Sequence, residues 1–308
     1  MRIAFFGTPA FAVPSLRALI EEGASIVGVV TRPDRARGRS RSTLLPPPVK
    51  RLALERGLPV LQPDRPAGDL FLTTLHRLEP ELGVVVAYGH ILKPEVLAIP
   101  RLGMINVHAS LLPALRGAAP IPRAILEGHP RTGITIMQME AGLDSGPILH
   151  QVETPIGPWE TGGSLTERLA DLGAVALVEA LALLRAGHLV PRVQDHAQST
   201  YAPKVDRTTC RIVWEEDADR VARRIRAFDP VPGAWSPFEN GTGIKLFGAR
   251  PADGSGPPGT ILAVEPGLVV AAGTGAVGVE EVQPEGKRRM PAEDWRRGRG
   301  VRMGQRFT

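Results

Sequence analysis

The sequence predicts an α/β protein: a Rossmann-like, mostly parallel sheet in an N-terminal domain, followed by a C-terminal OB-like β-barrel domain. Three observations lead there. Unbroken apolar runs such as "LGVVVAYG" and "GMINVH" alternate with amphipathic stretches through the first half, as strands buried on both faces and covered by helices do. A polar, proline-containing, aperiodic stretch, residues 188–206, then interrupts the pattern. Beyond it come short apolar runs cut by glycine and proline, at the spacing of a small antiparallel barrel.

Taken in order, "RIAFFG" reads as a strand, Pro14–Glu22 as a helix and "SIVGVV" as the next strand. A basic stretch rich in proline and serine reads as a flexible loop. A helix near Val49–Arg56, the strand "LPVLQP" and a helix near Asp69–Leu78 follow. After the two unbroken runs, "TGITIMQME" and "PILHQVETPI" read as strands, this second pair antiparallel. The next helix opens with a capping box from Ser164 to Glu167 and stops at Gly187. The expected division is therefore a domain over 1–187, a linker over 188–206 and a barrel domain over 207–308. In the last, a helix near Ala218–Phe228 precedes the strands "GAWSPF", "GIKLFG", "GTILAV", "GLVVAAG" and "AVGVEEV".

Composition narrows the class. With 308 residues, 43% hydrophobic and 22% charged, the chain suits two ordinary globular domains. No uncharged apolar run nears the ~18 residues needed to cross a bilayer. Met1-Arg2 leads directly into a strand, so a cytoplasmic protein without a targeting peptide is expected. Cys210 is alone, which excludes a disulfide framework, and no pair among the scattered histidines has the helix-face spacing of metal ligands. The net charge of +5 is unevenly spread: residues 32–51 carry +6 and residues 285–308 carry +5, on an otherwise acidic chain. Two such patches suggest a polyanionic partner. Within the first, Arg35, Arg37, Arg39 and Arg41 alternate on a stretch too polar to pack.

Two motifs compete for attention. "GTGAVG" at Gly273–Gly278 matches a dinucleotide fingerprint letter for letter, but "VEEVQPEG" follows it, a strand and a turn where a pyrophosphate-binding helix is required. "MINVHASLLPALRGAAP" is different. It places Asn106 and His108 two residues apart at the end of a buried strand, where ligands of open α/β sheets bind, and strand alternation points both to one side. Asp144 lies between glycines in "AGLDSG", a loop whose backbone can pass close to a ligand. An amide, an imidazole and a carboxylate supply an oxyanion donor, a proton acceptor and its orienter.

"INVHASLLP" followed by "AGLDSG" resembles the signature of the folate-dependent formyltransferases. The likeness is strongest to members that act on methionyl-tRNA. "FFGTPAFA", "VTRPDRARGR", "VVVAYGHIL", "RGAAPI", "TGITIMQMEAGLDSG", "YAPKVD" and "RAFDPVPGAW" extend it over nearly the whole chain. Small departures are Ala109 where glycine is common, Ala10 for a frequent acidic residue, Ser145 for threonine, and "GRSRS" in the basic loop. The resemblance implies formyl transfer from 10-formyltetrahydrofolate to the α-amine of methionine on initiator tRNA, by a monomer without metal. It implies a catalytic trio of Asn106, His108 and Asp144, with His108 either stabilising the oxyanion or taking the amine's proton and Asp144 holding the imidazole. Ser110, Leu111, Leu112 and Pro113 would line the folate site, walled by "AYGHIL". Arg35, Arg37, Arg39 and Arg41 would enter the acceptor end of the tRNA, with Arg39 the best match to the family's key arginine. The basic tail around Trp295 would add a second, less specific surface. Other readings are a formyltransferase acting on a small amine, such as a ribonucleotide or amino sugar, and a noncatalytic nucleic-acid-binding protein.

Overall fold

The computed structural model describes residues 1–37, 43–239, 241–265, 267–299 and 301–308. In chain order the strands are β1 (Arg2–Gly7), β2 (Ser25–Val30), β3 (Arg35–Arg37), β4 (Thr43–Leu45), β5 (Val60–Leu61), β6 (Leu82–Val86), β7 (Met104–His108), β8 (Arg116–Gly117), β9 (Arg131–Gln138), β10 (Ile148–Pro155), β11 (Tyr201–Ala202), β12 (Ala234–Pro237), β13 (Gly243–Ala252), β14 (Ile261–Ala263), β15 (Leu268–Ala271), β16 (Ala276–Pro284) and β17 (Met290–Pro291). The helices are α1 (Val13–Glu21), α2 (Pro48–Glu55), α3 (Asp69–Arg77), α4 (Pro94–Leu97), α5 (Pro120–Leu126), α6 (Gly162–Arg185), α7 (Ala218–Ala227) and α8 (Ala292–Arg299). The chain divides into two compact units. One comprises Met1–Gly117, Thr132–Thr154 and Thr166–Tyr201; the other comprises Ala118–Arg131, Pro155–Leu165 and Ala202–Thr308.

The first unit is built on a seven-stranded sheet of order β10-β9-β7-β6-β1-β2-β5. The strands β5, β2, β1, β6 and β7 run parallel, and β9 returns antiparallel to β7. The winding reverses between β1 and β6, which leaves a crevice at the carboxyl ends of the strands. Ala4, Phe6, Val30, Val85 and Met104 on one face form a core with Phe71 and Leu75 of α3 and Val96 of α4. On the other face α6 comes so close that a Cβ at Gly173 would lie 3.1 Å from Val107 Cγ1. Alternation along β7 therefore puts Asn106 and His108 on the face of Met104, away from α6.

Two local expectations shift. The helix α6 starts before the expected cap. Thr161, not Ser164, is its N-cap: Ser164 N–H donates to Thr161 Oγ1 at 3.1 Å, and Thr161 N–H donates back to Ser164 Oγ at 3.0 Å. A second hydroxyl three residues on performs the reciprocal role usually given to glutamate, so the helix gains its first turn. The basic loop also has order at its base. Arg35 pairs with Leu45 and Arg37 with Thr43 as an antiparallel ribbon of β3 and β4. Asp34 anchors it, accepting from Lys50 Nζ at 2.8 Å and Gln62 Nε2 at 2.7 Å. Those donors hold its carboxyl below the usual aspartate range.

The second unit carries a six-stranded antiparallel sheet, order β12-β13-β16-β15-β14 with β17 on β16. "GTGAVG" forms the turn after β15 and the first three residues of β16. The sheet curls until one segment reaches both edges. Phe307 bridges Phe238 next to β12, and Arg306 bridges Thr260 next to β14. Ile261 N–H donates to Gln305 O at 2.8 Å and Thr308 N–H to Pro237 O at 2.9 Å, so this segment pairs edge groups that would otherwise be open. The Phe307 ring, 1% exposed, sits 5.5 Å from Trp214, 5.0 Å from Phe238 and 6.2 Å from Trp295. The helix α7 is capped by Asp217, whose Oδ1 accepts from Arg220 N–H at 2.8 Å, and it presses Val221, Ala222 and Ile225 into the same core. Phe307→Ala should therefore cost about 3–5 kcal/mol, read as a lower denaturation midpoint. A loss under about 1 kcal/mol would show that the closing segment does not hold the barrel.

Candidate active site

The strand β7 delivers two side chains to its carboxyl end. Val85 and Met137 flank Asn106 in register, and Thr135 pairs with His108, the last residue of the strand. Two residues of strand separate them by about 6.6 Å. The Asn106 side chain is half-buried, and its amide has no hydrogen-bond partner among the described residues. His108 is 5% exposed.

The turn after β7 is tightly pinned. Ser110 Oγ donates to Ala114 O at 2.6 Å, which closes the turn on itself. Thr135 Oγ1 donates to Ser110 O at 2.6 Å and accepts from Leu112 N–H at 3.1 Å and Gln151 Nε2 at 2.9 Å. Gln151 Nε2 also reaches Leu112 O at 2.9 Å. The Leu112 side chain is buried with Met137 and Ile148. Of the four residues expected to line the folate site, Ser110 and Leu112 thus point their side chains into the interior, while Leu111 and Pro113 are half-buried.

Leu115 adopts φ 59°, a left-handed conformation that costs a bulky residue about 1–2 kcal/mol. The surroundings impose it. Leu115 N–H donates to Thr200 Oγ1 at 2.8 Å, and Leu115 O accepts from His108 Nε2 at 3.0 Å. A carbonyl only accepts, so Nε2 carries the proton in this bond, and Nδ1 is the nitrogen left to exchange one. Nδ1 faces Asp144 Oδ2 at 3.7 Å. That separation is beyond a hydrogen bond. The sequence expectation that Asp144 holds the ring is therefore modified: the Leu115 carbonyl holds it, and Asp144 stands opposite with a gap between.

Asp144 is itself fixed. Its φ is 49°, a conformation aspartate tolerates better than most residues. Its Oδ2 accepts from Gly117 N–H at 2.8 Å. Nearby, the loop passes so close to β9 that a Cβ at Gly146 would lie 2.0 Å from Gln138 O. Gln194, which the sequence reading left inside a linker, is buried and locks this loop. Its Nε2 donates to Asp144 O at 2.9 Å and Gly146 O at 2.7 Å, and its Oε1 accepts from Arg116 Nη2 at 2.7 Å. No periodicity or motif could single out one glutamine in a polar, aperiodic stretch.

The "AYGHIL" stretch is mixed in character. Tyr88 is buried against Phe6, and burial pushes its phenol up to about 12. Ile91 is 89% exposed. His90 is half-buried, its pKa pulled down by burial and by the charges of Arg32 and Arg35. Of the arginines expected to meet nucleic acid, Arg35 is exposed on β3, the Arg37 backbone closes the ribbon, and Arg39 and Arg41 lie outside the described residues. The expectation for the tail changes. Trp295 is buried against Phe238 and Phe307, because an indole is worth more in the core than on a charged surface. Arg289, Arg296 and Arg297 pair with acidic neighbours, Arg289 with Asp229 and Glu281.

Gln194→Leu leaves two loop carbonyls without their donor and takes one acceptor from the Arg116 guanidinium, which keeps His196 Nδ1 at 3.1 Å. The expected result is a stability loss of about 1–3 kcal/mol and faster hydrogen exchange at the Gly117 amide. Unchanged protection there would mean that Gln194 does not hold the Asp144 loop.

Comparison with known proteins places the chain in a family. A family model described as "Formyl transferase" matches residues 1–181, and one described as "Formyl transferase, C-terminal domain" matches residues 204–300. The chain is 50% identical over 297 residues to a methionyl-tRNA formyltransferase of Methylococcus capsulatus, covering 96% of each chain. It is 47% identical over 309 residues to one of Thermobifida fusca, covering 100% of this chain and 99% of that one. Among solved structures, the sugar 3N-formyl transferase WlaRD, solved with dTDP and 5-N-formyl-THF, superposes with a TM-score of 0.69 at 16% identity, over 94% of this chain and 99% of that one. HypX from Aquifex aeolicus, solved in complex with tetrahydrofolic acid, gives a TM-score of 0.65 at 21% identity over 96% of this chain. The present chain spans about half of HypX, 47%. A likeness at such identities concerns the fold. The family is decided by the two full-length matches, and the chain belongs to the formyl transferase family, among the methionyl-tRNA formyltransferases.

Proposed function

We propose that the protein transfers the formyl group of 10-formyltetrahydrofolate to the α-amino group of methionyl-initiator tRNA. The observation that carries this reading is the approach of His108 Nδ1 to Asp144 Oδ2 at 3.7 Å, beside an Asn106 amide that has no partner among the described residues. The names of the full-length relatives support the choice of substrates.

The chemistry needs three things at one carbon. The amine lone pair attacks the formyl carbon, and the carbonyl π electrons move to oxygen. Asn106 donates its amide N–H to that oxyanion; losing one such donor typically costs ~10²–10³ in rate. The nitrogen, now positive, must shed a proton. A gap of 3.7 Å between Nδ1 and Oδ2 admits a nitrogen about 2.8 Å from both, so His108 takes the proton while Asp144 faces the charge formed on the ring. Collapse re-forms the carbonyl and breaks the bond to N10 of the folate, which accepts the proton. The Leu115 carbonyl keeps the ring turned throughout, with Nδ1 as its working nitrogen. In this reading the turn 110–113 serves the folate through its backbone and the half-buried Leu111 and Pro113, because Ser110 and Leu112 are already engaged.

The proposed division of labour assigns the chemistry to 1–187 and tRNA binding to 207–308 and the basic segment holding Arg35, Arg37, Arg39 and Arg41. The proposed compartment is the cytoplasm and the proposed state a monomer. The test compares methionyl-tRNA with small amines, including a nucleotide-linked amino sugar, as acceptors from labelled 10-formyltetrahydrofolate. Preference for the small amine would replace this substrate assignment, and transfer to neither would remove the activity. Asp144→Asn should preserve folding and folate binding yet lower turnover at least about a hundredfold; near-normal turnover removes Asp144 from the mechanism. Arg39→Ala should raise the KM for tRNA and spare the KM for folate, whereas equal damage to both would indicate misfolding.

A further inference from the structure

The second unit holds a cleft of about 540 Å³ between α5 and α7, lined by Arg123, Leu126, Glu127, Glu216, Arg220, Arg223 and Arg224. Four guanidinium groups share it with two carboxylates. Arg224 has the fullest set of partners, although its Nε, like that of Arg223, is buried without one. Arg224 Nη2 binds Glu216 at 3.1 Å and its Nη1 donates to Thr209 O at 3.0 Å. Arg123 approaches Glu127 at 3.7 Å and Arg220 approaches Glu216 at 3.9 Å, both beyond hydrogen-bond length. Arg223 has no hydrogen bond or acidic partner among the described residues. Its Nε is buried, and its guanidinium lies so close over Gly128 that a Cβ there would meet Cζ at 3.3 Å.

The cluster is one of like charge that the protein does not neutralise. Arg226, one turn on and buried over Trp159, is pulled below the usual arginine range by burial and by the charge of Arg223. A planar guanidinium with its outer edge unpaired fits a phosphate through two parallel N–H bonds. Among the described residues no aromatic ring lines the cleft and Leu126 is the one apolar lining residue, so it is suited to charge and not to a base or a pterin. These features select a phosphodiester backbone over a nucleotide or an apolar ligand.

We infer that the α5–α7 cleft is a phosphate-binding site for the backbone of the RNA substrate, with Arg223 and Arg220 as its contacting groups and Glu216 as the residue that positions Arg224 and Arg220. This rests on the tRNA reading above. Within the 207–308 region proposed to bind tRNA, the contacting residues of this site are other than those of the basic segment and the tail.

The test measures binding of deacylated initiator tRNA, and formylation of its methionyl form, across a KCl series for the wild type and for Arg220→Gln/Arg223→Gln. The double variant should bind about tenfold more weakly at 0.1 M KCl. Its slope of log affinity against log salt should fall by about 1–2, as loss of one or two phosphate contacts requires. Turnover at saturating tRNA and the KM for 10-formyltetrahydrofolate should not move. Arg223→Lys, which keeps the charge but not the fork, should keep the slope and lose part of the affinity. A slope and affinity equal to wild type in the double variant overturn the site. A parallel loss of folate KM and melting temperature in all variants overturns it in favour of a structural role. A wild type that neither binds nor formylates tRNA overturns the functional reading, and the site as an RNA contact with it.

Discussion

The bond from His108 Nε2 to the Leu115 carbonyl is the interaction on which the site depends. It decides which imidazole nitrogen is occupied and which is open, and so decides which atom can receive a proton. The bond exists because Leu115 is held in a left-handed conformation unfavourable for leucine. Thr200 receives its amide, Ser110 closes the preceding turn, and Thr135 and Gln151 clamp that turn to the sheet. Strain of this kind persists only where the surroundings over-determine it, and here four side-chain clamps do so.

On the opposite side of the ring, the carboxylate is held by different means. Asp144 is not tied to the imidazole. The Gly117 amide, together with a loop backbone locked by Gln194, fixes it. Two separately anchored groups 3.7 Å apart make a rigid gap, and a rigid gap can serve as a receptor for a third atom. A direct ion pair would have spent both groups on each other. Placing the carboxylate one step back leaves its charge available while the ring stays fixed.

The second unit shows the same economy with charge. Many of its arginines are committed to internal partners: Arg289 to Asp229 and Glu281, Arg296 to Glu265, Arg297 to Glu293. Net charge along the sequence therefore overstates what the tail offers a polyanion. Arg220 and Arg223 of α7 tell the opposite story. They stand on a helix whose apolar face is buried in the barrel core, so their heads collect on the remaining face without enough carboxylates to balance them.

The sequence by itself determined the sheet and the barrel strands, and it named the candidate chemical groups. Buried parallel strands write themselves as unbroken apolar runs, and "GMINVH" both ends such a run and carries Asn106 and His108. It also excluded the dinucleotide reading of "GTGAVG", because a strand pattern follows where a helix is needed. Tertiary structure alone decided the rest. Gln194, Thr200 and Thr135 lie far along the chain from His108, and a polar side chain that bonds a distant backbone leaves no local signature. Trp295 and the tail arginines looked like a surface because composition reports charge but not its pairing. The role of the final residues as the segment that bridges both edges of the curled sheet, and the meeting of α5 with α7, follow from contacts between segments far apart in sequence, which one-dimensional periodicity does not encode.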